Sequence, residues 1–378
     1  LTAPPYDVLS DSDRTRYATK DAHNIVHVDL PIGAAGEDAY SSASRTIEAW
    51  NNDGVLVRDE TPSLTLYRLA FVDATGAQRH TVGVIGALEV VDEGAGGVLP
   101  HERTTPKAKT DRLDLTRATQ MNLSPVWGLS LASGMSALLA DPAEPVGSFT
   151  DEHGVTHTVE RVSDAARVRR ICDAIGAQPV VIADGHHRYA ISRTYRDETR
   201  ERLGTRHTGA ELTLTYVNEL VSEQLSVAAI HRYYTDTTAD SLLEALSTAF
   251  DVSDAPTPDD KTLSRMNAFG CLYFVDSTKR SFWLTPKPAA FAGVRDLDSA
   301  RLEHALSTTP HTVSYQHGLH EAVGQLDRPE CVATILIRPV GVAEIQRTAH
   351  EGLLMPPKST FFTPKLQTGL VMREIFGN

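Results

Sequence analysis

A short apolar run that breaks into a polar, cationic turn constrains this chain more than any other stretch: Pro179-Val180-Val181-Ile182-Ala183, then Asp184-Gly185-His186-His187-Arg188. The run is β-branched, too short for a helix and bounded by a proline, so it reads as a buried strand over 179–183. A helix over about 185–202 follows it. A helix that starts where a strand ends points its first-turn amides, its positive dipole end, two imidazoles and a guanidinium the same way, which suits a phosphate. Gly185 lets the backbone approach a ligand. Asp184 can cap the helix, bind a magnesium ion carried by the phosphates, or do both. The plainer alternative is a capped helix with a solvated polar first turn, although His-His-Arg directly after an apolar strand is costly to place without a reason.

The bulk properties make any such site a local one. The chain has 36 Lys and Arg against 49 Asp and Glu, a net charge of −13, which argues against non-specific binding to nucleic acid or an anionic membrane. Its 378 residues suggest about two domains. Cys172, Cys271 and Cys331 are odd in number and far apart, so neither a disulfide framework nor a CxxC zinc site is expected, and a reducing cytoplasm is the simplest compartment. No apolar stretch reaches membrane-spanning length, and Leu1-Thr2-Ala3-Pro4-Pro5 lacks a signal-peptide pattern. The GxxxxGK[ST], GxGxxG, HExxH and GxSxG patterns are missing, as are basic clusters interleaved with aromatics.

The rest of the chain reads as mixed α and β. Helices are expected from Ser10-Asp11-Ser12-Asp13, over 37–51, over 107–121 and over 165–175. Hairpins are expected from 64–72 with 80–91, and around Glu152-His153-Gly154; residues 24–31 read as an edge strand. Beyond 210, strands are expected at 212–216, 225–233, 271–275, 281–284 and 332–339, with helices at 241–250, 298–306 and 343–350. With no regular βαβ alternation, α+β is preferred. The division expected is 1–210, an N-terminal segment plus a catalytic domain, and 211–378, a second α+β domain.

Two loops carry further chemistry. Pro100-His101-Glu102-Arg103-Thr104-Thr105-Pro106-Lys107 sets a carboxylate, an imidazole and two cations between prolines. A glutamate there can take a proton from a substrate hydroxyl, or can be simply solvated or salt-bridged. Met355-Pro356-Pro357-Lys358-Ser359-Thr360-Phe361-Phe362-Thr363-Pro364-Lys365 is a stiff loop with two lysines and hydroxyls among aromatics. It suits clamping an anion or a nucleotide base, and equally a packed crossover with surface lysines.

Six blocks, taken in order, resemble the prokaryotic domain-of-unknown-function family numbered one thousand and fifteen. They are Ala3-Pro4-Pro5-Tyr6-Asp7-Val8, Asn24-Ile25-Val26-His27-Val28-Asp29-Leu30-Pro31, Leu99-Pro100-His101-Glu102-Arg103-Thr104, Asn122-Leu123-Ser124-Pro125, Ala183-Asp184-Gly185-His186-His187-Arg188-Tyr189 and Met355-Pro356-Pro357-Lys358-Ser359-Thr360. The turn Asp184 to Arg188 is also similar to the phosphate-binding turn of the ParB and sulfiredoxin superfamily, which includes kinases acting on free serine. That resemblance implies a ParB/sulfiredoxin-like catalytic domain that phosphorylates a small hydroxyl compound, free L-serine first, from ATP, ADP or CTP with Mg2+. Gly185, His186, His187 and Arg188 would hold the nucleotide phosphates, with Arg103, Thr104, Lys358, Ser359 and Thr360 also at the nucleotide. Lys358 or Arg103 would neutralise the transferring phosphoryl group. Asp184 would organise Mg2+, Glu102 would act as base with His187 beside it, and His101, Asn122 and Ser124 would meet the substrate. The rival implication is a ParB-like nucleotide switch that hydrolyses CTP or ATP without a small-molecule acceptor. No nucleic-acid or membrane partner is expected, and the reading is compatible with a homodimer.

Overall fold

The computed structural model describes residues 1–33, 38–73, 76–101 and 109–375. It divides into two compact units, Leu1–Ser226 with Pro364–Asn378, and Val227–Thr363. Both are α+β.

In the first unit, helices α1 (Asp11–Lys20), α2 (Val26–Asp29), α3 (Ala39–Asn52) and α4 (Lys109–Thr119) gather around Tyr17, Ile25, Val28, Ala43, Ile47, Trp50 and Leu115. Ser10 opens α1 with a capping box: its hydroxyl accepts from the Asp13 amide at 3.2 Å, while its own amide donates to Asp13 at 3.1 Å. Asp38 caps α3, whose buried Ala43, Ile47 and Trp50 recur at helical spacing. Residues 24–31, expected as an edge strand, instead contain the single turn α2. The Asn24 side chain accepts from the Val26 amide at 3.1 Å, and this local bond to the backbone outweighs the β preference of the valines.

Against these helices stands an eight-stranded mixed sheet. Its strands are β1 (Leu64–Val72), β2 (Gln78–Glu89), β3 (Val98–Pro100), β5 (Val126–Ser130), β6 (Glu144–Thr150), β7 (Thr156–Val162), β8 (Val180–Asp184) and β9 (Leu212–Glu219), in the order β3-β8-β5-β9-β2-β1-β7-β6. A short β4 (Met121–Asn122) lies outside this sheet. Both expected hairpins form, β1 with β2 and β6 with β7. Helices α5 (Met135–Leu138) and α6 (Ala165–Gly176) close an apolar layer on Leu66, Val84, Val162, Val180 and Val217. Helix α7 (His186–Leu203) follows β8 directly. The unit boundary falls after Ser226 rather than at 210, because β9 lies inside this sheet, paired parallel to β5 and antiparallel to β2.

The second unit holds a six-stranded antiparallel sheet of β11 (Ile230–Thr235), β12 (Phe250–Asp254), β13 (Leu272–Asp276), β14 (Ser281–Pro286), β15 (Thr312–His317) and β16 (Ala333–Leu336). β10 (Ser226–Ala228) pairs with β17 (Phe361–Thr363). Along β13, Leu272 and Phe274 face one apolar cluster with α8 (Ala239–Ala249) and α10 (Asp298–Ala305). Tyr273 and Val275 face another with α9 (Thr262–Phe269) and α11 (Leu319–Gly324). A strand covered on both faces needs a continuous apolar run, which is what Leu272-Tyr273-Phe274-Val275 supplies. Helix α12 (Val342–His350) precedes the proline-rich loop. The chain then returns to the first unit, where β18 (Arg373–Glu374) pairs with β4. No helix among the described residues is long and apolar enough to cross a membrane.

Candidate functional site

β8 runs between β3 and β5, so Val180 to Ala183 are buried and the strand delivers Asp184 to its C-terminal end. Gly185 sits in the left-handed region at φ 84° and ψ 28°, and α7 starts at the next residue. A Cβ at Gly185 would also lie 2.9 Å from Nε and 3.0 Å from Cζ of Arg188. The backbone conformation therefore favours glycine here, and a side chain would displace the Arg188 guanidinium.

Asp184 does not cap the helix. One of its oxygens accepts from Nη2 of Arg188 at 2.7 Å, the other from Nζ of Lys365 at 3.0 Å. The first turn of the 18-residue α7 accordingly has no side-chain cap, and a helix N-terminus of this kind suits an anion. Burial acts to raise the Asp184 carboxyl, but Lys365 and Arg188 outweigh it and hold the group well below the usual carboxylate range. Arg188 also donates through Nη1 to the Pro125 carbonyl, its side chain is only 10% exposed, and its buried Nε has no hydrogen-bond partner among the described residues.

Two imidazoles adjoin this ion cluster. His101 is fully buried, hydrogen-bonded through Nδ1 to the Ile182 carbonyl, with its ring centroid 5.0 Å from that of His186. Burial pulls His101 down to about 4 and His186 well below its ordinary value, so both are neutral near pH 7. The Nε2 of His186 is buried without a hydrogen-bond partner among the described residues.

A consequence can be measured by denaturation. A histidine whose folded pKa is depressed binds protons more readily when unfolded, so stability falls as pH drops from about 6.5 toward 4. His101 alone is expected to remove about 2 kcal/mol between pH 7 and pH 5. His101→Asn keeps a donor near the Ile182 carbonyl without the titration, so its urea midpoint should fall less over that range. An equal fall in both proteins would mean that His101 is not held neutral.

The N-terminal blocks converge on the same turn. The Arg112 guanidinium lies 4.4 Å from the Tyr6 ring centroid, and Arg112 pairs with Asp29 at 3.3 Å. Tyr6, Asp7 and Asp29 are close enough to Arg188 for their charges to act on it. Burial pushes the Tyr6 hydroxyl up to about 12.

Of the residues expected from sequence, the structure brings together Asp184, Gly185, His186, Arg188 and His101, with His187 in the same first turn. Asn122 is a brace: its side-chain oxygen accepts from the Leu214 amide at 3.0 Å and from Arg373 at 3.3 Å. Ser124 is half-buried in the turn before β5. Lys358, Ser359 and Thr360 belong to the second unit, where the buried Ser359 hydroxyl donates to the Pro356 carbonyl at 2.7 Å and lies 3.1 Å from that of Ser299. Glu102, Arg103 and Thr104 lie outside the described residues. Of the two lysines in the loop expected to clamp an anion, the one at Asp184 is Lys365 rather than Lys358, a pairing the sequence does not indicate.

The donor set also bears on magnesium. Mg2+ takes oxygen ligands in near-ideal octahedral geometry, but each Asp184 oxygen already holds a cation. Among the described residues no group of three or more His, Cys, Asp or Glu is placed to hold a metal. These residues do not fit direct ligation of Mg2+ by Asp184; they fit a carboxylate that positions two cations.

The fold thus defines a two-unit α+β protein whose first unit carries a strand, a glycine turn and a helix in immediate succession. The family described as "Protein of unknown function (DUF1015)" matches residues 1–300, and the chain belongs to that family. No curated protein matches it in sequence. Among solved structures, it is similar to a free serine kinase in complex with AMP, at 11% identity and a TM-score of 0.42, covering 77% of this chain and 91% of that one. A conserved hypothetical protein from Pyrococcus furiosus gives 11% identity and a TM-score of 0.40 over 78% and 94%. A C-terminally truncated SbnI from Staphylococcus aureus gives 12% and 0.40 over 75% and 85%.

Proposed function

We propose that this protein is a nucleotide-dependent kinase that phosphorylates the hydroxyl of a small molecule, free L-serine first, to give O-phosphoserine. The observation that carries the reading is the turn after β8. There a helix N-terminus without a side-chain cap and a glycine in the left-handed region adjoin Asp184, whose two oxygens accept from Arg188 and Lys365. The helix dipole adds partial positive charge beside these two cations, and an anion is the natural complement. The phosphate-binding turn of the ParB and sulfiredoxin superfamily, which this segment resembles, supplies the class of ligand.

In the proposed reaction, the serine oxygen attacks the terminal phosphorus as the Glu102 carboxylate takes its proton. The bond from phosphorus to the bridging oxygen breaks, and its electron pair leaves with the shortened nucleotide. Such a transfer depends on positioning and on neutralising the phosphoryl oxygens, which is what a fixed pair of cations supplies.

The test is phosphorus NMR of the purified protein with Mg2+, one of ATP, ADP or CTP, and free hydroxyl amino acids. A new phosphomonoester signal that requires serine is expected, and the nucleotide consumed identifies the donor. Nucleotide loss with only inorganic phosphate would replace the kinase with a hydrolysing switch, and no turnover with any acceptor would end the reading.

A further inference from the structure

The proline-rich loop over 355–363 lies in the second unit and takes no part in the phosphoryl transfer proposed above. We propose that this loop, together with β11 and β15, forms a separate anion site that binds a phosphate group through Arg232 and Lys358. The site is built from residues of the second unit alone, so it stands whether or not the turn after β8 holds a nucleotide.

The strongest sign is Arg232. It lies on β11 directly opposite Tyr315 of β15 and is only 5% exposed. An arginine buried to this degree is normally paired with a carboxylate. Here Nη1 donates to the Ile230 carbonyl and Nη2 to the Lys358 carbonyl at 3.4 Å, and Cζ lies 5.4 Å from the Tyr315 ring centroid. Two uncharged carbonyls thus serve a group that has five donors, and burial pushes its pKa down. Asp298 and Glu303 act on Arg232 only from beyond ion-pair distance, and Asp298 is itself held by Arg338 at 2.6 and 3.0 Å. Among the described residues, no carboxylate pairs with this guanidinium.

The loop presents a second cation beside the first. Lys358 is exposed, enters no ion pair among the described residues, and sits in the left-handed region at φ 57°, which a lysine adopts only under restraint. The restraint comes from its neighbours: Met355, Pro356, Ser359 and Thr360 are buried, the Ser359 hydroxyl donates to the Pro356 carbonyl at 2.7 Å, and Arg232 holds the Lys358 carbonyl itself. Farther along the loop, Phe361 stacks on His317, with 4.5 Å between ring centroids and 14° between planes. His317 is two residues from Tyr315 on β15 and so shares its face of the sheet, and both are exposed. A guanidinium fork, an ammonium, a phenol and an imidazole are all able to donate, and this set suits the several oxygens of a phosphate group.

The test is titration calorimetry of the full-length chain with inorganic phosphate, O-phospho-L-serine and AMP, on the wild type, Gly185→Ala, Lys358→Gln and Arg232→Lys. Gly185→Ala weakens the turn in the first unit, so binding that survives it reports the second unit. That binding is expected to fall roughly tenfold or more in Lys358→Gln, whose exposed position leaves the urea midpoint unchanged. Arg232→Lys keeps the charge without the fork and should also lose affinity, and should it fail to fold, Lys358→Gln still decides. The probe bound most tightly names the source of the phosphate: the free ion, a phosphorylated amino acid, or a nucleotide whose base reaches the aromatic rings. Equal affinity in Lys358→Gln and the wild type, or no probe bound by Gly185→Ala, would overturn the proposal. If the wild type has a single site that depends on Lys358 and not on Gly185, the kinase reading loses its turn while the second-unit site is upheld.

Discussion

Gly185→Ala is expected to weaken nucleotide binding by roughly ten- to a hundredfold while the chain still folds. Two effects act at once. An alanine held at φ 84° costs about 1–2 kcal/mol of stability, to be read from urea denaturation. Its Cβ would also fall about where the Arg188 guanidinium lies, 2.9 to 3.1 Å from three of its atoms. A long side chain can swing away, so the overlap costs the fold little. The guanidinium, however, would leave the Asp184 carboxylate and the Pro125 carbonyl that aim it. Gly185→Asn separates the two effects, because asparagine tolerates the left-handed region but still carries a Cβ. It should recover most of the stability and little of the affinity. Wild-type affinity in the alanine variant, measured by calorimetry with ADP, would show that Arg188 and this turn do not hold the nucleotide.

Glu102→Gln is expected to lower kcat by roughly 10²- to 10⁴-fold, the range for removal of a general base. Nucleotide affinity should stay near that of the wild type, because the amide keeps the size of the side chain and removes only the charge that takes the proton. The useful measurement pairs phosphoserine formation with nucleotide binding on one preparation, since a folding defect would depress both. Retained turnover would remove Glu102 from the chemistry. The two substitutions therefore differ in kind: at Gly185 the loss should appear in binding, at Glu102 in the chemical step.

The local elements of the candidate site were legible in the chain. A four-residue apolar run can be read as a buried strand, a polar turn with glycine as its end, and the following residues as a helix, because each signal is carried by neighbours in sequence. The start of α1 at Ser10 is legible for the same reason. Residues 24–31 were misread because the alternating valines suggest a strand, while the Asn24 bond to the Val26 amide that turns the chain there depends on geometry. The boundary expected at 210 falls after Ser226 because the strand expected at 212–216 carries no local sign of its partners, β2 and β5, which come from distant segments of the first sheet.

The roles within the turn show the same limit. Asp184 preceding a helix reads as a cap or a metal ligand. What engages it instead is Arg188, one helical turn along, and Lys365, which no local pattern could connect to it. The neutrality of His101 and His186 likewise follows from burial under other strands and helices. By itself the sequence determined the family, the α+β character and the succession of strand, glycine turn and helix at 180–203, since those depend on residue type and short spacing. Tertiary structure alone decided which cations meet Asp184, which histidines stay uncharged, and that the chain returns from its second unit to the first, because charge pairing and desolvation depend on distances in space that sequence separation does not encode.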